Sequence, residues 1–294
     1  ITLPSSTFSI KKIFSLMKFA INQRGKYDYV FILDKHYYFN FIGRIISKNT
    51  VGFARESISH LFLRYAVIYD DITRYHGLYY LDLLKTSKLV IPDYTDYKLD
   101  FKVGSENIQS IDKVMQEYNL EINKFIIVIN SGGNNQFESG GIRMLPDNKI
   151  MQLITLTALN TKVVLLGSLV DKINYNNYLR LANIQNLINL AGILSLEQSA
   201  SLMRYAGRIY TTDCGAMHIA ITQGLFNRLF CFFGPTCPNH VLPPKMGIEY
   251  YWEDMDLLDE RYPLYGVTPQ RGDYFAKLDV NRDVLKISGL CQGE

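Results

Sequence analysis

The chain has 294 residues, 48% hydrophobic and 20% charged, with a formal net charge of +3. That composition builds a sizeable core and excludes a disordered chain, and the length suits two domains of ordinary size. The small net charge gives no global footprint for nucleic acid, no run of about 18 apolar residues marks a transmembrane helix, and no secretory signal is read. Cys214, Cys231, Cys237 and Cys291 form no CxxC pair and read as free thiols of a cytosolic protein.

In chain order, Ile13, Leu16, Met17 and Ala20 recur at helical spacing among Lys11, Lys12, Lys18 and Arg24. The basic stretch from Lys11 to Lys26 reads first as a solvated helix face and second as a contact with anionic lipid at an inner membrane. Gly25 stops that helix. Tyr29 to Leu33 is a continuous apolar run, as in a strand of a parallel sheet covered on both faces. Residues 39–48 predict a helix, Thr50 to Phe53 a short strand, and residues 74–88 an amphipathic helix with Leu78, Leu81 and Leu84 on one side. Periodicity fades over residues 91–105, with Pro92 and Gly104, and this stretch is the predicted linker. It divides an N-terminal domain, 1–105, from a C-terminal domain, 106–270, followed by a tail, 271–294.

After a helix over residues 105–119, strand and helix alternate. The predicted strands are Phe125 to Ile129, Lys162 to Leu166, Ile188 to Leu190, Arg208 to Thr212 and Leu229 to Phe233. The predicted helices are Asn148 to Leu159, Tyr175 to Asn183, Leu196 to Tyr205 and Ala216 to Gln223. This alternation predicts an α/β fold with doubly wound parallel sheets, the N-terminal half being a shorter version of the same design, and a ligand cleft between two such domains.

If the strands are parallel, their carboxyl ends share one edge. Small residues gather there: Ser131-Gly132-Gly133, Gly167-Ser168, Ala191-Gly192, Thr212-Asp213-Cys214-Gly215 and Gly234-Pro235-Thr236. Glycine lets a ligand approach the backbone closely, and a helix start there offers free N–H groups to a phosphate. Arg143 follows the glycine-rich loop and could supply a cation. Asp213 either faces a ligand or caps the helix after it, and His218 is either a site residue or a core histidine. The loop is neither a Walker A nor a GxGxxG motif. Asp254 to Asp256 imitates an acidic metal pair but reads as a solvated segment, so no metal site is expected.

Ser195-Leu196-Glu197, Asp213-Cys214-Gly215-Ala216-Met217-His218 and Phe233-Gly234-Pro235-Thr236 stand in order and at matching spacing. Together they resemble the signature of the heptosyltransferase family, glycosyltransferase family 9. Asn189 to Gly192 and Leu165 to Ser168 resemble that family's strand ends, and the stretches around Asp34, Thr50 and His76 resemble its acceptor domain.

The resemblance implies a GT-B fold of two Rossmann-like domains, the first acceptor-side and here truncated at its N-terminus. It implies inverting transfer of a heptose-like sugar from a nucleoside-diphosphate sugar, possibly ADP-heptose, to a lipopolysaccharide-type or other glycan acceptor. No further cofactor is implied. The protein would be cytoplasmic, or peripheral on the cytoplasmic face of the inner membrane. Ser131, Gly132 and Arg143 would meet the phosphates; Asp213, Gly215 and His218 the sugar and diphosphate; Leu194 the base; and Asp171 the ribose, beside Gly167 and Ser168. Cys214 stands where the family has Ser or Thr. A Gly-Asp pair, whose Asp serves the family as base, is not found. Asp34 is the replacement candidate, with a turn or strand-end cap as its plainer reading, and His36 and His76 are acceptor-side candidates. The alternative is a nucleotide-sugar binding protein of the same fold without transferase activity; an epimerase of GT-B type fits the spacing less well.

Overall fold

All nine strands among the described residues pair in parallel, in one three-stranded and one six-stranded sheet. The computed structural model describes residues 10–55, 57–69, 74–89, 101–132, 140–182, 184–253 and 274–285. The chain divides into two units: Ile1–Tyr97 with Asn239–Pro244, and Lys98–Pro238 with Lys245–Glu294.

The first unit runs α1 (Ile10–Gln23), β1 (Val30–Phe31), α2 (Tyr37–Ile46), β2 (Thr50–Ala54), a 3-10 turn (Ser57–Leu61), β3 (Tyr65–Ile68) and α3 (His76–Thr86). Its sheet has the order β1-β2-β3. Ala20, with Leu16 and Met17, packs α1 on Ile42 and Ile46 of α2, as the helical spacing predicts. The strand expected to reach Leu33 stops earlier. Val30 and Phe31 align with Thr50 and Val51, and the Ile32 N–H still donates to the Val51 carbonyl at 2.8 Å. Then the chain leaves the sheet, and Leu33 is 58% exposed rather than covered. β3 has no counterpart among the predicted strands. Its four residues are too few, between Arg64 and two aspartates, to show a period.

The second unit runs α4 (Ser105–Glu117), β4 (Phe125–Ile129), a 3-10 turn (Gly140–Arg143), α5 (Asp147–Ala158), β5 (Lys162–Leu165), α6 (Leu169–Ala182), β6 (Leu187–Asn189), α7 (Leu196–Met203), β7 (Arg208–Thr212), α8 (Gly215–Thr222), β8 (Leu229–Phe233) and β9 (Glu249–Trp252). Its sheet has the order β6-β5-β4-β7-β8-β9. Alternate side chains Ile126, Val128, Val163, Leu165, Phe230 and Phe232 share one core with Leu153 and Ile154 of α5. The intervening Phe125, Ile127, Ile129 and Val164 are buried too. Burial on both sides explains the unbroken apolar runs. A short helix, α9 (Pro238–Val241), follows β8.

The strand order reverses between β4 and β7. From β4 the chain proceeds to β5 and β6 on one side, and from β7 to β8 and β9 on the other. In open parallel sheets ligands bind beyond the carboxyl ends of the strands at such a reversal. Residues 130–132 and 213–215 stand there.

Candidate functional site

The two strand ends at the reversal are knitted to each other. Thr212 Oγ1 donates to the Ser131 carbonyl at 2.5 Å and accepts from the Ser131 N–H at 3.1 Å. One residue earlier, Asn130 is fully buried. Its side chain donates to the Leu145 carbonyl at 3.1 Å and accepts from the Leu145 N–H at 2.8 Å. Its own N–H donates to the Tyr175 hydroxyl at 2.7 Å, and that hydroxyl donates to the Leu166 carbonyl at 3.2 Å. Desolvation raises the Tyr175 pKa far above the tyrosine range, so it stays a neutral donor. Asn130 and Tyr175 thus fix the ends of β4 and β5 and anchor the turn that carries Arg143. Neither is among the residues singled out from the sequence. A polar residue closing an apolar strand is the only signal, and a buried Tyr in a helix gives none.

A cavity of about 300 Å³ opens at these strand ends. Ser131, Gly167, Ser168, Asp171, Cys214 and Gly215 give it a polar rim. Ile129, Leu166, Leu194, Leu196, Met203 and Ile219 give it an apolar wall. Seven predicted residues therefore line one cavity: Ser131, Gly167, Ser168, Asp171, Leu194, Cys214 and Gly215. Gly132 is buried behind Ser131, and Gly133 lies outside the described residues, as do Asp254 to Asp256 and Cys291.

Two glycines are required by close approach. A Cβ on Gly167 would stand 2.8 Å from the Asp171 Cβ, and one on Gly234 would stand 2.5 Å from the Ile142 carbonyl oxygen. The second contact lets the Arg143 turn lie over the end of β8. Gly215 is the opposite case: a Cβ there meets nothing within 4 Å, so the first turn of α8 faces open space.

Asp213 is not the cap of α8. Cys214 holds the N-cap position and makes no side-chain capping bond. Asp213 is 2% exposed, and its Oδ2 accepts from Arg143 Nη1 at 3.2 Å. An aspartate buried so fully needs a paired cation, and Arg143 is that cation while its side chain keeps 22% exposure. The Cys214 thiol lies 3.6 Å from Thr211 Oγ1, and burial pushes its pKa up. His218 is not a core histidine: it is exposed. Desolvation on the side facing the protein lowers its pKa, more than the Asp213 charge restores, and Arg143 lowers it further.

Asp171, 5% exposed, accepts from both the N–H and the hydroxyl of Ser168 at 2.7 Å, one turn into α6. That capping starts α6 at Leu169, six residues before the predicted Tyr175. Ser195 and Gln198 form a reciprocal capping box on α7, so the Ser of the Ser-Leu-Glu stretch starts a helix.

The comparisons with known proteins bear on this unit. Residues 149–256 match the family model for glycosyltransferase family 9 (heptosyltransferase). Residues 149–256 belong to glycosyltransferase family 9. The matched segment spans α5 through β9 and holds Gly167, Ser168, Asp171, Leu194 and the residues after β7. The sequence has no significant match among curated proteins. Among solved structures, the chain is similar to a family 9 glycosyl transferase from Veillonella parvula DSM 2008, with 20% identity, a TM-score of 0.64, and coverage of 85% of this chain and 70% of that one. It is similar to the E. coli ADP-heptose lps heptosyltransferase II, with 21% identity, a TM-score of 0.58, and coverage of 88% and 78%. It is also similar to E. coli heptosyltransferase WaaC with ADP, with 15% identity, a TM-score of 0.54, and coverage of 97% and 79%. These likenesses establish the fold, which is α/β of the GT-B type.

In the first unit, the Asp34 carboxylate is exposed and accepts from the His36 N–H at 2.9 Å. His36 caps α2, its Nδ1 accepting from the Tyr38 N–H at 3.3 Å. Both residues therefore close the turn into α2. His76, at the start of α3, is instead drawn into a partly buried polar network with Lys35 and Tyr80, two partners with no signal in the sequence.

Proposed function

We propose that the chain transfers a sugar from a nucleoside-diphosphate sugar to a glycan acceptor, with inversion at the anomeric carbon. The observation that carries this reading is the cavity at the strand-order reversal, with the Arg143–Asp213 pair beside it. The apolar wall formed by Leu194, Leu196 and Met203 suits a nucleobase. The open first turn of α8 suits a diphosphate, where a helix N-terminus favours an anion by about 0.3–1 kcal/mol, and up to about 2 when partly buried. Arg143 supplies the cation, so charge on the leaving diphosphate is taken up by protein groups without a required metal. ADP-heptose is the proposed donor, because two of the solved relatives are named for ADP-heptose or carry ADP.

In the transfer step the acceptor oxygen forms a bond to the anomeric carbon. The bond from that carbon to the diphosphate oxygen breaks, and its electron pair leaves with the nucleoside diphosphate. The hydroxyl proton passes to a base, for which Asp34 is the residue to test. The acceptor proposed is a lipopolysaccharide-type glycolipid on the cytoplasmic face of the inner membrane. Lys18, Arg24 and Lys26 would meet anionic headgroups there, with Phe14 and Ile21 of α1 exposed at 70% and 60%. Among the described residues no helix is long and apolar enough to cross a membrane.

Cys214 favours the second reading, nucleotide-sugar binding without transfer: its buried thiol replaces a hydroxyl and donates a weaker hydrogen bond. The test is a transfer assay with several nucleotide sugars and lipid-A-core acceptors. Product formation supports transfer. Tight donor binding without product supports the second reading, and neither binding nor product rejects both.

A further inference from the structure

Among the described residues, Lys35 is the one charged-type side chain in the set of largest fully buried groups, at 1% exposure. It sits in the first unit among rings, its Nζ 4.2 Å from the Tyr69 centroid and 6.0 Å from those of Phe53 and Tyr80. Nζ donates to the Tyr69 hydroxyl at 2.8 Å and lies 2.7 Å from His76 Nε2. The Tyr80 hydroxyl lies 3.0 Å from the same His76 nitrogen.

The donors and acceptors can be assigned along this chain. His240 Nδ1 faces the Arg74 carbonyl at 3.0 Å. A carbonyl only accepts, so Nδ1 carries the proton, and in the neutral ring Nε2 is the acceptor. His240 Nε2 lies 3.0 Å from the Tyr69 hydroxyl, which therefore donates to it. The Tyr69 oxygen in turn accepts from Lys35. One directed chain thus runs Lys35 to Tyr69 to His240 to the Arg74 carbonyl. His240 belongs to Asn239–Pro244, the short segment counted with the first unit although the rest of the chain around it is not. Its sequence distance from Tyr69 is 171 residues.

We infer that the Lys35–Tyr69–His240 chain is a proton-gated latch: with Lys35 an uncharged amine it fastens Asn239–Pro244 to the first unit, and a proton on Lys35 loosens it. The surroundings of the group oppose a proton there. Burial lowers the Lys35 pKa from its ordinary 10.5 to about 7, and Arg55 lowers it further, against the Asp34 charge that raises it. Arg74, whose backbone carbonyl holds the far end of the chain, has its own cation paired with Asp82 at 2.5 Å. Tyr79, beneath the Arg74 guanidinium at 4.5 Å, supplies a ring face. A protonated Lys35 sets a second cation among Tyr69, His76, Tyr80 and His240. The cost of a charge held away from water is relieved by opening the site, and opening requires the His240 contact to part.

Hydrogen exchange of the His240, Val241 and Leu242 amides tests this in the full chain, with rates corrected for the intrinsic pH dependence of exchange. Protection should fall by up to tenfold per pH unit as the pH drops from about 9 toward about 7, where release of the segment is linked to uptake of one proton, and should level off below about 7, where the closed state carries the proton too. Lys35→Met should abolish the pH step. Tyr69→Phe should lower protection at pH 8 several-fold, because it removes the oxygen that joins Lys35 to His240. Nitrogen NMR of the unmodified protein decides the matter if either variant fails to fold: Lys35 Nζ should titrate near neutrality, apart from the other lysines. Protection independent of pH, a pH step retained in Lys35→Met, or Lys35 titrating with the exposed lysines would each overturn the latch.

Discussion

Two nitrogen-bearing side chains, one half-buried and one buried, one in each unit, are handled in opposite ways. Arg143 stands against a carboxylate, Asp213, and keeps part of its surface open. Lys35 stands against hydroxyl and imidazole groups with almost no surface open. Arginine cannot lose its proton under ordinary conditions, so burying it requires an anion. Lysine can, and burial brings it to the point of doing so. The contrast separates two uses of charge: the second unit keeps a fixed cation where an anionic ligand is proposed, and the first keeps the lysine proposed to respond to pH.

The sharpest break of this comparison removes the fixed cation. Arg143→Met leaves Asp213 buried without its partner, and should cost about 3 kcal/mol of stability, near the lower bound for a broken buried pair because Arg143 is partly exposed. The same variant should lose nucleoside-diphosphate binding. Arg143→Lys should recover most of the stability and part of the binding. Thermal melts and calorimetry on the three proteins check both effects.

Gly215→Val comes next. Its side chain would fill the open space before α8, and binding of ADP should weaken by about 10- to 100-fold, or about 1.4–2.8 kcal/mol. The fold should change little, since the new Cβ meets no protein atom within 4 Å. Equal losses of stability and binding would mean that the position is structural.

Lys35 supplies the pH arm of the comparison. Its folded pKa of about 7 lies below its ordinary 10.5, so between those values the unfolded chain binds more protons and stability rises with pH. The rise is at most about 1.4 kcal/mol per pH unit. Lys35→Met should flatten that part of the stability curve, whereas Arg143→Met should leave its slope unchanged. Denaturant unfolding at pH 7, 8 and 9 measures both.

The smallest effect belongs to His218→Ala. The ring is exposed and disfavours its charged form, so in the proposed site it would orient a ligand without adding a cation. ADP binding should fall less than in Gly215→Val, with no change in stability.

How far the sequence discloses these sites follows from the physics of each. Glycine and serine after apolar runs mark the strand ends, because a buried parallel strand has unbroken apolar sequence and its exit needs small residues. Hence Ser131, Gly167, Ser168 and Gly215 are legible from local sequence. The Asp213–Arg143 pair is not, since its members are 70 residues apart and a cap is an equal reading of Asp213. β9 (Glu249–Trp252) escapes a reading by pattern because four residues beside an acidic stretch show neither period. The start of α6 at Leu169 escapes it too, because two exposed aliphatics open the helix and only the Ser168–Asp171 contact explains it. Of the Lys35 network only His76 is singled out from the sequence, and its partners are hidden. Lysine is almost never fully buried, and its chain of contacts ends at a histidine far along the sequence.

The most direct test of the central claim, that the strand-end cavity and Arg143 hold a nucleoside diphosphate with protein groups alone, is calorimetry of ADP binding to the intact chain in EDTA. The account predicts that ADP binds as well in EDTA as with added magnesium, that adenosine binds more weakly than ADP, and that Arg143→Met removes the difference between them. ADP binding that vanishes when divalent cations are chelated, or that equals adenosine binding in the unmodified protein, would contradict it.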